Sequence, residues 1–395
     1  MDKECGSTLS WFWNTLYILL IIFCLIYYSI LLRYSKIEWQ VLDIPDEKLP
    51  KVSIIVPTLE EEHNIETCLK SLRRLDYPNF EIIVVDGGSK DHTVDIAKKY
   101  ADTIIVDSTV PLGWIGKSYG CHLGYQQATG KLLLFTDADT IHSHRSLRAY
   151  VYQLLGTDSD LLSFLPFQKA KKWYEYFVGF YFFLSFLAGG PLEAINNKYD
   201  KTSYLAIGQY LLFKRSSYEK IGGHATVSQV IIEDLAFAKL CKDKGLKLHY
   251  MGSQNLVKCR MYSSGFKGFY YGFRKAIWGG FVVLPKWRIL FVILWLIYAV
   301  IAPYTLIKTI IEDFPFSIGI LASLAAYLLF VAVVYNHWRT KGDTKLIYYL
   351  FFPIIAVVDI TIILISIYDG IRGHQYLWKN RSYAFVRPVS HNQEE

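Results

Sequence analysis

The segment Lys131 to Thr140, KLLLFTDADT, sets two aspartates one residue apart after four apolar residues and a threonine. KLLLFTDAD, Lys131 to Asp139, reads as a strand whose run Leu132 to Phe135 is buried on both faces, because a half-buried strand would alternate apolar and polar side chains. Two carboxylates at the mouth of such a strand repel each other, and both stay ionised only beside a cation, a basic side chain or hydrogen-bond donors. Asp137 and Asp139 are expected on the same side of an extended chain, whose side chains alternate with a period of two. That pair suits a hard divalent ion, Mg2+ or Mn2+, which takes few carboxylates and completes its shell with phosphate oxygens and water. An Asp-x-Asp triplet alone is frequent, and the plain alternative is a solvated strand end.

Upstream, apolar runs alternate with helical patterns. VSIIVPT (Val52 to Thr58), EIIVVD (Glu81 to Asp86) and TIIVD (Thr103 to Asp107) read as further strands. NIETCLKSLRRL (Asn64 to Leu75), DHTVDIAKKYA (Asp91 to Ala101) and GKSYGCHLGYQQAT (Gly116 to Thr129) read as helices. The expected fold class is α/β, a mostly parallel sheet covered on both faces, which binds ligands where its strands end. Three strands run into acidic segments at that edge: PTLEEE, DGGSKD and TDAD. Glu60 or Asp86 alone reads equally well as a helix cap. Three such ends on one edge point to a binding site.

The flanks belong to a membrane protein. The chain has 395 residues, 52% hydrophobic and 16% aromatic, with a mean hydropathy of +0.23, too apolar for an ordinary soluble protein. Four apolar runs, Trp11 to Leu32, Ile289 to Ile311, Ser317 to Asn336 and Leu346 to Tyr368, each approach the roughly 20 residues needed to cross a bilayer. The first is expected to be an anchor, since no small-residue cleavage pattern precedes Arg33 and Lys36. Basic residues Arg33, Lys36, Lys286 and Arg288 place the central domain in the cytoplasm. Four full crossings would leave Arg372, Lys379 and Arg381 outside, against that rule. Pro353 and Asp359 interrupt the last run, so a re-entrant or tilted course is the alternative. The expected organisation is an anchor (1–36), a central domain (37–288), three apolar helices (289–370) and a basic tail (371–395). The six cysteines are scattered without metal spacing and read as reduced thiols. The net charge of +7 suits anionic headgroups, and there is no nucleic-acid motif.

Taken in order, IIVPTLEEE, IIVVDGGSKD, GWIGK, LLFTDADT, IIEDLAFAKLCKDKG and RKAIW resemble the family 2 glycosyltransferases with a GT-A nucleotide-sugar domain, from about Lys51 to Gly280. PLGWIGKSYG, AIGQYLLFKRSSYEKIGGH and the C-terminal WKNRSY are most similar to the lipid-glycosylating branch, which includes hopanoid-associated, carotenoid and ceramide enzymes. The resemblance implies that Pro57, Glu60 and Asp86 bind the nucleotide. It implies that Asp137 and Asp139 hold the diphosphate through Mg2+ or Mn2+, and that Lys117 contacts phosphate or sugar. Without the resemblance, Lys117 is a surface lysine opening a helix.

An acceptor hydroxyl attacking an anomeric carbon must lose a proton, which calls for a carboxylate across the cleft. By resemblance that base is Asp234, beside Glu233, and the reaction inverts the anomeric centre. The plain alternative is a first-turn charge pair on the helix dipole. Arg274 and Trp278 fit the outer positions of the family's Q/RxxRW motif, implied to steady diphosphate and acceptor, but Ile277 stands where the second arginine would be. Lys275 is the candidate substitute. The aromatic stretch Lys171 to Pro191 reads as an interfacial helix lining lipid access or simply packing on its neighbours, and LEAINNKYDKTS as a flexible loop over the site. The expectation is an inverting transferase moving a hexose from a UDP-sugar to a membrane lipid. A processive polysaccharide synthase and a non-catalytic nucleotide-sugar scaffold are the alternatives, and the oligomeric state is left open.

Overall fold

The computed structural model describes residues 44–252, 255–263, 265–313, 318–378 and 381–384, with isolated positions between Thr15 and Ser29. The expected strands form as β1 (Val52–Thr58), β2 (Phe80–Asp86), β3 (Thr103–Val106) and β4 (Leu132–Thr136). Three more follow after a short β5 (Thr140–His142): β6 (Leu161–Leu165), then, past β7 (Phe167–Gln168), β8 (Tyr210–Lys214) and β9 (Leu248–Gly252). The main sheet has the order β3-β2-β1-β4-β8-β6-β9. It is parallel except for β8, which runs antiparallel to both neighbours. β5 and β7 pair with β10 (Val257–Cys259) in a small second sheet.

The helices of the α/β part are α1 (Ile65–Arg73), α2 (Thr93–Ala97), α3 (Gly116–Gln127) and α4 (Ser146–Gly156). They continue as α5 (Val178–Gly189), α6 (Leu192–Asn196), α7 (Arg215–Lys220), α8 (Gly223–Thr226) and α9 (Glu233–Asp243). Helix α3 lies close on β1 and β2 because Gly120 and Gly124, one turn apart, face them. A Cβ on Gly124 would stand 2.5 Å from a methyl of Ile55.

The two faces of the sheet bury different cores. Ile54, Val56, Val84 and Leu134 pack under α1 and α4. Ile55, Val85, Leu133 and Phe135 belong to a second cluster that continues without a break into the apolar helices through Phe183, Trp295 and Phe330. The sheet and the apolar helices are therefore built as one body, joined by α5. In the aromatic stretch, α5 packs on its neighbours, the second of the two courses expected for it. At 12 residues α5 is too short to span, and Phe182 stacks on Trp338 at 5.9 Å and Phe183 on Trp295 at 5.2 Å.

Beyond the sheet lie α10 (Phe266–Val283), α11 (Lys286–Asp313), α12 (Ile318–Trp338), α13 (Leu346–Leu350) and α14 (Phe352–Arg372). Three of them, α11, α12 and α14, are long and apolar enough to cross a membrane. The first apolar run lies mostly outside the described residues. Its described Phe23 meets Trp295 edge-on at 5.7 Å, and its Tyr28 hydroxyl accepts a bond from Asn336 at 2.7 Å.

The last run is broken at Phe351, which lets Pro353 sit in the first turn of α14, where a missing N–H costs no helical bond. Before the break, Tyr348 of α13 stacks on Tyr176 at 4.6 Å; near the end of α14, Asp369 takes the guanidinium of Arg274 on α10, at 2.6 Å from Nε. The chain ends in a hairpin of β11 (Gln375–Trp378) and β12 (Arg381–Ala384). The stretch expected as a flexible loop over the site is pinned elsewhere: Lys242 donates to the carbonyls of Ala194 and Asn197, and Arg288 to that of Thr202.

Candidate active site

Strand order puts the ends of β2, β1 and β4 side by side. A cavity of about 850 Å3 opens there, lined by Pro57, Glu60, Lys117, Asp137, Asp139, Glu233 and Asp234 among others. Asp137 and Asp139 do not extend β4 as their spacing suggested. The strand ends at Thr136, and the N–H and hydroxyl of Thr140 both bond the Asp137 carbonyl, at 3.2 and 2.7 Å, closing a turn. Both carboxylates reach the cavity from that turn.

Lys117 is the hub. Its ammonium lies 2.8 Å from Asp137 and 2.9 Å from Glu233, so it joins the Asp-x-Asp turn to the start of α9. Burial opposes its charge, but the two carboxylates prevail and hold it well above the ordinary lysine range. Gly208 was missed in the sequence. Its N–H donates to Asp234 Oδ2 at 2.6 Å, and a Cβ there would stand 2.9 Å from Lys117 Nζ and 3.2 Å from Glu233 Oε1. The only signal was a glycine in AIGQY, two residues before a strand.

Asp234 accepts a second bond, from its neighbour's N–H in the first turn of α9, at 2.8 Å. Burial first, and the adjacent Glu233 second, push its carboxyl up to about 7. Glu233 moves the other way: burial resists its charge, but Lys117 lowers it below the usual range. Two neighbouring carboxylates with opposite shifts make the pattern in which one titrates near neutrality and the other stays ionised.

Glu60 lines the cavity in a left-handed backbone conformation, φ 53°, held by its N–H on Ser89 Oγ at 2.8 Å and its carboxylate on the Lys90 N–H at 3.0 Å. Such strain is rare for a residue with a side chain and clusters at functional positions. Asp86 departs from expectation. It is fully buried and not on the cavity wall. One oxygen accepts the N–H groups of Gly88 and Ser89, at 2.9 and 2.7 Å, and the other accepts the hydroxyls of Thr58 and Ser89, at 3.0 and 2.6 Å. Four donors exhaust a carboxylate's acceptor sites, leaving none for a nucleotide.

RKAIW also departs from expectation. Arg274 turns away from the cavity onto Asp369, and Trp278 is 3% exposed among Ile231, Phe281, Val282 and Tyr383. Lys275, Ala276 and Ile277 line the cavity instead. Arg260 reaches it too, paired with buried Glu175 at 2.9 Å, a residue no motif marked. Past these groups the wall turns apolar, with Phe182, Leu205, Phe273, Ile293, Leu296 and Ile363 drawn from four helices and one loop.

Among the described residues, no three His, Cys, Asp or Glu side chains gather to enclose a metal ion on their own. Asp137 and Asp139 offer two carboxylates on one turn beside space for further ligands. That donor set fits an ion shared with a diphosphate and does not fit a closed structural site.

Residues 53–222 match Glycosyl transferase family 2. The 4,4'-diaponeurosporenoate glycosyltransferase of Staphylococcus haemolyticus (strain JCSC1435) is 27% identical over 255 residues, 64% of this chain and 67% of the relative. Its namesake from Staphylococcus aureus (strain MRSA252) is 26% identical over 341 residues, 85% of this chain and 89% of that one. Among solved structures, the mannosyltransferase PcManGT from Pyrobaculum calidifontis in complex with GDP-Man and Mn2+ aligns over 88% of this chain and 95% of its own, with 18% identity and a TM-score of 0.47. The match over residues 53–222, on a mostly parallel sheet with acidic strand ends, identifies a family 2 glycosyltransferase domain within the chain, and with these relatives it supports a transferase enzyme.

Proposed function

We propose that the protein transfers a hexose from a nucleotide sugar, a UDP-sugar, to a lipid in the membrane, with inversion at the anomeric carbon. One observation carries this reading: a single cavity runs from the Asp-x-Asp turn to a wall built by helices long and apolar enough to meet lipid. A water-soluble acceptor has no use for such a wall. The names of the relatives favour a carotenoid-type acceptor.

In this reading Asp137 and Asp139 hold Mg2+ or Mn2+, which when bound offsets the charge of the leaving diphosphate. Lys117 shares that task from the other side of the turn and carries the position of Glu233 with it. Asp234, buried, ionisable near neutrality and oriented by Gly208, takes the acceptor proton. Glu60 and Pro57 border the nucleotide end. The α/β body faces the cytoplasm, and α14, tied near its end to α10 through Asp369 and Arg274 and preceded by α13 stacked on Tyr176, lies along the membrane surface without crossing it. That course keeps the basic tail on the cytoplasmic side and removes the conflict with the charge rule.

The test is Asp139→Ala in the full chain reconstituted in lipid, assayed with UDP-hexose, Mn2+ and extracted lipid acceptors. A fall in transfer of about a thousand-fold or more is expected, on the scale of losing the main electrostatic support for a leaving group. Undiminished transfer overturns the reading. A product of one sugar per lipid, in place of a polymer, separates it from a polysaccharide synthase.

A further inference from the structure

The two outer residues of RKAIW face the C-terminal segment. Arg274 holds Asp369 near the end of α14, and Asp369 also takes His374 Nδ1 at 2.9 Å, at the root of the hairpin. Four residues on from Arg274, Trp278 packs against Tyr383 on the returning strand, where Tyr383 pairs with Tyr376. Root and far strand of the hairpin are thus held by one helix, α10.

Tyr383 does more than pack. It lines the same cavity as Lys117, Asp137 and Asp234. Its hydroxyl accepts the N–H of Gly116 at 3.3 Å, across 267 positions of sequence. Gly116 is the first residue of α3, and Ile115 before it supplies no side-chain cap. The opening N–H groups of a helix have no partner within the helix, and an aliphatic cap residue leaves them so. Tyr383 fills that role for the turn that aims Lys117 at Asp137 and Glu233.

We propose that the C-terminal hairpin is a strap across the donor end of the cleft, held at its root by Arg274 and on its returning strand by Trp278, with Tyr383 as a positioning residue for the Gly116–Lys117 turn. The role assigned to the donor end rests on the nucleotide-sugar reading above. The strap itself does not.

Two measurements on the full chain in lipid discs separate the two. Tyr383→Phe keeps the ring and removes the hydroxyl, and Arg274→Gln unties the root. In the first measurement, trypsin cleavage at Arg381 is followed without any donor, and both variants are expected to be cut several times faster than the parent. In the second, Tyr383→Phe is expected to raise the KM for UDP-glucose with Mn2+ by about 3- to 10-fold, the scale of one neutral hydrogen bond. Its acceptor KM and melting temperature should stay as in the parent, which a merely structural loss would not allow. Faster cleavage without any turnover of UDP-glucose by the parent would retain the strap and remove the donor assignment. Unchanged cleavage in both variants overturns the proposal, as does faster cleavage with an unchanged donor KM in an active parent.

Discussion

The two ends of the cavity are built on opposite terms. At the strand edge nearly every polar group has an assigned partner: Lys117 between Asp137 and Glu233, Glu60 on Lys90, Asp234 on Gly208. On the helical side Phe273, Ile293, Leu296 and Ile363 offer surface without directional bonds. One end selects by geometry, since a displaced hydrogen bond or charge costs far more than a displaced methyl group. The other selects by excluding water. Substitutions at the strand edge should therefore change rate, and those on the helices should change acceptor affinity.

The strongest challenge is Asp234→Asn, which keeps the shape and removes the proposed base. Transfer is expected to fall about 100- to 10,000-fold, the usual contribution of a positioned base. The pH profile supplies the sign. A carboxyl held at about 7 is mostly protonated at pH 6, so kcat/KM of the parent should rise as pH climbs through 7 and then level. The residual activity of the variant should lack that limb. A variant retaining it would place the base elsewhere.

Gly208→Ala comes next. One methyl group would stand 2.9 Å from Lys117 Nζ and 3.3 Å from Asp234 Oδ2, so either the hub or the base must shift. A misplacement of that size is expected to lower kcat by about 10- to 100-fold. Unchanged kcat would mean that the strand edge is more yielding than its bonds imply.

Gly208 also marks the limit of what the sequence tells. The strands and their acidic ends were legible because continuous apolar runs and clustered carboxylates are local signals; β1 and β2 formed within a residue of their expected bounds, whereas β4 stopped at Thr136, short of the expected Asp139. A glycine needed for the space it leaves has no side chain to announce it. Arg274 was misread for a related reason: its partner Asp369 lies 95 positions away, and a motif at α10 cannot reveal what a later helix brings to it. The Asp-x-Asp geometry was misread because Thr140 closes a turn where the apolar run suggested more strand.

On the helical side, Ile363→Trp narrows the apolar wall. The expected result is a rise of about 10-fold in acceptor KM, the scale of a misfit in a hydrophobic pocket, with donor KM unchanged. It also bears on α14. If that helix crossed the bilayer away from the body, a bulkier residue at position 363 would leave acceptor KM alone.

The smallest expected effect breaks the pattern from within, because Asp86 sits at the strand edge yet should behave as a structural residue. Its four donors come from the protein itself, two backbone N–H groups and two hydroxyls. Asp86→Asn replaces one acceptor oxygen by an NH2 group that faces donors. The hydroxyls can rotate to suit it, but the N–H groups of Gly88 and Ser89 cannot. If the amide oxygen turns to those N–H groups, the loss is limited to weakened hydroxyl bonds. If it does not, a buried donor is left unmatched, at a cost of about 1–3 kcal/mol. Either way the melting temperature should fall by about 2–8 °C while donor KM changes less than about twofold. A large rise in donor KM at an unchanged melting temperature would return Asp86 to the nucleotide and show that its turn opens when the donor binds.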